Sequence, residues 1–160
     1  MELANIAVVM KQNELLFAQL YQECARLFPD FKKEFETLAA EEEGHAAILD
    51  SIIEEIADRP ENWRPGKVSL QTLRIIQEQI QDTLLEVKTG QCAPRYAITA
   101  LRSYEQSMSE RSVEKVLETD VPDFQDRLAL VTQGFDTHLK CLQDLERKIF
   151  KTTDMFDSLK

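Results

Sequence analysis

Apolar residues recur along this chain in alternating steps of four and three. Leu3, Ala7, Met10, Phe17, Tyr21, Cys24 and Phe28 follow that rhythm, with position 14 between Met10 and Phe17. Phe31, Phe35, Leu38, Leu49, Ile52 and Ile56 do the same on the next segment, with positions 42 and 45 in between. Such spacing marks the seam of a helix packed inside a bundle. The pattern predicts a first helix from about Leu3 to Phe28 and a second from about Phe31 to Ala57, broken at Pro29-Asp30 with Asp30 as N-cap. A polar connection, RPENWRPGKVS at 59–69, follows. Ser69 then caps a helix with Leu73, Ile76, Ile80, Leu84 and Val87 on one stripe, stopping near Gly90. Another helix runs from Ala93-Pro94 to about Glu118, and a last one from Phe124 to Phe150, leaving KTTDMFDSLK at 151–160 as a frayed or short helical tail.

No segment alternates with period two, so the fold class is all-α. Two helical hairpins joined by a long connection form the grammar of a four-helix bundle with one crossover, here a crossover carrying a helix of its own. An internal repeat supports that division. PDFKKEFETLAAEEEGHAAIL (29–49) aligns without gaps on PDFQDRLALVTQGFDTHLKCL (122–142). The only two histidines, His45 and His138, fall on the same repeat position.

Polar residues interrupt the seams at one depth. Of the run Glu41-Glu42-Glu43, only Glu42 shares the seam with His45; its neighbours are rotated off by about 100° each and belong to a solvated face. Glu14 occupies the middle of the first seam and His138 that of the last. On the helix after Pro94, the seam is Ile98, Leu101, Glu105, Met108 and Ser112, although Tyr104 competes with Glu105 for the inward direction. Buried carboxylates cost several kcal/mol each unless compensated. No lysine or arginine lies on the seams nearby, and a divalent cation would compensate the group at once. Carboxylate oxygen and imidazole nitrogen suit Fe, Mn or Zn.

Composition narrows the surroundings. A formal net charge of −10 argues against nucleic acid or an anionic membrane surface as partner. No apolar run approaches the roughly 20 residues that span a bilayer. The opening MELANIAVVMKQNE lacks a signal peptide's basic region and cleavage site. Cys24, Cys92 and Cys141 form no Cys-x-x-Cys pair, which leaves neither a disulfide framework nor a thiolate metal site and suggests a reducing cytoplasm. Trp63, in the Pro-rich connection, is expected to pack on the bundle end.

Over residues 5–150 the chain resembles the ferritin-like di-iron carboxylate proteins, specifically the rubrerythrin type, most clearly in NELLFAQLYQECA and LAAEEEGHAAIL. The resemblance implies one ferritin-like domain over 1–150. It also implies a metal site with Glu14 as terminal ligand, Glu42 as bridging ligand and His45 as terminal nitrogen, matched in the second half by Glu105 and His138. The implied chemistry is oxidation of Fe(II), or reduction of peroxide or dioxygen, with a separate electron donor because no rubredoxin-like Cys₄ module is present. Homodimerisation through the crossover helix or the first helix fits the same picture.

The chain departs from the family at Phe135, which takes the repeat position of Glu42, where a second bridging glutamate belongs. Three carboxylates then face the +4 of two divalent ions, so one ion held by Glu14, Glu42 and His45, helped by Glu105 or His138, is easier to justify than a di-iron pair. The same residue favours the rival class, a non-catalytic structural or interaction bundle whose site has decayed into a polar cluster hydrogen-bonded to Tyr21.

Overall fold

A computed structural model describes residues 2–111 and 116–157 of the chain. It is mostly helical. Helix α1 spans Glu2–Leu27, α2 Lys32–Asp58, α3 Leu70–Thr89, α4 Pro94–Arg111 and α5 Pro122–Asp157. Two short strands, β1 (Trp63–Pro65) and β2 (Leu117–Thr119), pair antiparallel with Trp63 opposite Thr119.

Helix α1 is the hub. Its seam residues Ala7, Met10, Phe17, Tyr21 and Cys24 are buried, and so is a second stripe of Ile6, Val9, Asn13 and Leu20. A helix apolar around so much of its circumference must be covered on more than one side, and α1 packs against α2, α3 and α4. The Asn13 amide, on the second stripe, donates to the Leu73 carbonyl of α3 at 3.3 Å. α5 packs on α4 and touches α2, which closes a ring of α1, α2, α5 and α4 around one apolar core. All five stripe residues of α3 are buried.

The helix limits follow local chemistry, with three departures from the sequence reading. Ser69 caps α3 as expected, its hydroxyl accepting from the Thr72 amide at 3.2 Å. Gly90 ends it in the left-handed region at φ 67°, where a residue with a Cβ is strained. Asp30, however, caps nothing: Pro29–Phe31 form a 3-10 turn, and Phe31 precedes α2 without any side-chain cap. The helix opened by Pro94 does not reach Glu118. β2 takes Leu117–Thr119 because Leu117 and Thr119 face inward while Glu118 faces solvent, an alternation too short to register as a strand pattern. Finally, α5 runs on through 151–157 without a break. Ser112 lies outside the described residues, as do 158–160.

Trp63, 3% exposed, packs edge-on against Phe124 at the start of α5 with ring centroids 5.5 Å apart. Outside it, Arg64 makes a bidentate pair with Asp120 across the sheet, and the Gly66 amide extends the ladder to the Val116 carbonyl. Among the described residues, no helix is long and apolar enough to cross a membrane.

Trp63 thus joins the sheet to α5. Trp63→Ala is expected to cost roughly 3–5 kcal/mol in urea denaturation; a loss under about 1 kcal/mol, the size of an ordinary surface substitution, would show that the sheet is not docked in this way.

Candidate metal centre

The five residues singled out by the seams meet at mid-depth in the ring of helices. Glu14 (α1), Glu42 (α2), Glu105 (α4) and His138 (α5) are each at most 1% exposed, and the His45 side chain (α2) is 12% exposed. Glu105 wins the inward direction from Tyr104, whose hydroxyl lies instead 2.7 Å from Thr83 and donates to the Gln79 carbonyl on α3. Aromatic and carboxylate compete for adjacent helix directions, and α3 supplies the polar partners that take the tyrosine.

Glu42 is the centre of the cluster. One carboxylate oxygen lies 3.0 Å from His45 Nδ1 and the other 2.9 Å from His138 Nδ1, so it spans both imidazoles. The two rings are 5.4 Å apart and inclined by 32°. Glu14 approaches His45 Nδ1 at 3.4 Å, and Glu105 approaches His138 Nδ1 at 3.5 Å. The Tyr21 hydroxyl donates to Glu105 at 2.6 Å. Burial and the neighbouring Glu105 and Glu42 charges push the Tyr21 phenol well up, so it stays an O–H donor.

Glu41 was missed by the sequence reading. It lies off the seam and is about half exposed, yet its carboxylate is 2.8 Å from His138 Nε2. His138 is thus held on both nitrogens, by Glu42 from inside and Glu41 from outside. No periodicity argument could find this, because the contact runs between helices rather than along one. Phe135, 0% exposed, stands beside His45 with ring centroids 6.5 Å apart. Among the described residues, the three cysteines are free, and burial pushes the Cys24 thiol up to about 12.

Electrostatics divide the group. Burial, followed by the Glu42 charge, holds the Glu14 carboxyl well above the usual range. For His45, burial works downward, but hydrogen bonding to Glu14 and Glu42 and their charges outweigh it and raise it to about 9. For His138 the same contest, decided by Glu105 and Glu42, ends at about 11.

Glu14 Oε1 and Glu105 Oε2 have no hydrogen-bond partner among the described residues, although they are fully buried, and Glu14 Oε2 has only the long 3.4 Å approach to His45 Nδ1. An orphaned buried carboxylate oxygen is costly, and a cation would satisfy both. Glu42, His45 and His138 each offer a ligand atom within 4.8 Å of the others and could hold a metal ion. That trio differs from the one expected first: His138 joins Glu42 and His45, and Glu14 adds its approach to His45 Nδ1. The chemistry of the donor set and the orphaned oxygens fit a borderline divalent cation.

Comparison with known proteins adds no relative: no family model matches the chain, and neither curated proteins nor solved structures give a match.

In the metal-free protein the shifts of Glu14, His45 and His138 share a sign. Each group binds its proton more tightly folded than unfolded, so between the two values the native state holds more protons and stability falls as pH rises. For the histidines that window opens near 6.5 and ends at about 9 for His45 and about 11 for His138. Thermal melts of chelator-treated protein are expected to show a lower midpoint near pH 9 than near pH 6.5, and a flatter decline in His138→Gln. A pH-independent midpoint would contradict the proton-balanced arrangement.

Proposed function

We propose that this chain is a metal-binding protein of the ferritin-like, rubrerythrin type, with one non-haem iron ion inside a four-helix bundle and manganese or zinc as chemically compatible substitutes. The observation that carries the reading is the pair of orphaned buried oxygens, Glu14 Oε1 and Glu105 Oε2, in the same cluster as the two imidazoles that Glu42 spans.

Glu42, His45 and His138 would hold the ion, with Glu14 beside His45 Nδ1 and Glu105 beside His138 Nδ1. Bound iron would supply oxidation of Fe(II), or reduction of peroxide or dioxygen. The chain's own residues set the conditions. Glu41, accepting from His138 Nε2–H, fixes the tautomer that leaves the Nδ1 lone pair facing inward. Tyr21 orients Glu105 by donating to one oxygen and leaving the other without a partner. Phe135 brings apolar volume to the repeat position of a fourth carboxylate. Three formal negative charges against one divalent ion leave a modest excess; against two ions they fall short, which favours a single ion.

One observation favours the rival, a structural bundle with a metal-free polar core. Burial and the Glu42 charge hold the Glu14 carboxyl well up, and the surrounding carboxylates raise both imidazoles, so protons alone offset much of the cluster's negative charge.

Metal content separates the two. Purified protein titrated anaerobically with Fe(II) is expected to take up a single equivalent, and Glu42→Ala to lose tight uptake. Protein that binds neither Fe(II), Mn(II) nor Zn(II) belongs to the rival reading, and a Glu42→Ala variant with wild-type affinity would sink the ligand assignment. Stopped-flow assays of Fe(II) oxidation and peroxide consumption then decide whether the bound metal is catalytic. Phe135→Glu restores the missing carboxylate, and its uptake is expected to rise toward a second equivalent. An unchanged stoichiometry in a folded variant, checked by circular dichroism, would count against Phe135 as the cause of the single-ion site.

A further inference from the structure

The two repeats treat their histidines unequally. In the gapless alignment Glu41 corresponds to Gly134, one residue before the Glu42–Phe135 pair. Glu41 reaches His138 of the other repeat. Gly134, at the equivalent place in α5, faces His45 of the first repeat: a Cβ built there would lie 2.5 Å from His45 Nε2 and 3.2 Å from Nδ1, and nearer still to Cε1. The same helix position therefore meets the opposite imidazole in both halves, once with a carboxylate and once with no side chain.

A glycine inside a 36-residue helix is unfavourable relative to alanine by helix propensity alone. Here the absent Cβ has an evident use. The imidazole fills the gap, and from that position its Nδ1 meets Glu42 at 3.0 Å and Glu14 at 3.4 Å. The other helical glycine, Gly44 in α2, provides the contrast, because a Cβ there would meet nothing within 4 Å.

We propose that Gly134 is a positioning residue of the metal site, its missing Cβ forming the seat that holds the His45 imidazole with Nδ1 toward Glu42 and Glu14. The seat itself stands on geometry alone; its effect on metal rests on the reading of His45 as a ligand given above. Any side chain at 134 drives the ring off its seat and away from both carboxylates. Phe135 and Gly134 then act as neighbours with opposite volumes, one adding apolar bulk beside His45 and the other making room for it.

Gly134→Ala and Gly44→Ala, each alone and combined with His45→Ala, test this by urea denaturation of chelator-treated protein and by Zn(II) titration calorimetry. Gly44→Ala is expected to raise the urea midpoint through helix propensity and to leave Zn(II) affinity unchanged. Gly134→Ala is expected to give no such rise in otherwise wild-type protein, to recover it when His45 is also alanine, and to weaken Zn(II) binding roughly 10- to 100-fold. A Gly134→Ala protein stabilised as much as Gly44→Ala, with His45 intact, overturns the seat. A seat confirmed by urea but without effect on Zn(II) affinity overturns the positioning role. If wild-type protein binds neither Zn(II) nor, in the anaerobic titration, Fe(II) or Mn(II), the metal reading fails, while the urea cycle still decides whether Gly134 seats His45.

Discussion

Three carboxylates in the middle of an apolar helical core are tolerable only because two imidazoles lie among them. The rest of the molecule is arranged around that constraint. Phe17 and Tyr21 from α1, Leu38 and Leu49 from α2, Leu101 and Met108 from α4 and Phe135 and Leu142 from α5 are buried on the same seams and keep bulk water away from the cluster. In that low-dielectric setting each unpaired oxygen is expensive and each short contact is strong. The cluster needs positive charge, and either protons on the histidines or a metal ion can provide it.

The seams made most of the centre legible before any coordinates. Steps of four and three residues select one helix direction, and a charged residue in that direction must be buried; this singled out Glu14, Glu42, His45, Glu105 and His138. What stayed hidden depends on contacts between elements. Glu41 is half exposed by helix geometry and becomes part of the centre only because α5 brings His138 within its reach. The importance of Gly134 follows from the ring that α2 lays against it. The small sheet was invisible for a related reason: three-residue strands carry too little alternation to stand out, and their partner lies on the far side of two helices.

The internal repeat accounts for the layout, and the differences between its halves for the asymmetry. The repeats still set their histidines at equivalent positions, and each half still presents its His to the other. Around that frame the first half carries Glu41 and Glu42, and the second Gly134 and Phe135. One histidine is clasped between two carboxylates and almost fully covered, and the other rests against bare backbone with its edge partly open to solvent. The first half thus brings more of the cluster's carboxylates than the second.

The pairing of β1 with β2 also bears on how the chain reaches this state. The strands flank α3 and α4, so their ladder fastens shut a loop that holds both the crossover helix and the first helix of the second hairpin. Closing a loop of that length forfeits chain entropy before any contact repays it. The α1–α2 hairpin is local, whereas the ladder joins segments separated by two helices. The smallest element of the fold therefore closes one of its longer loops, at an entropic cost that the docking of Trp63 on Phe124 helps to offset.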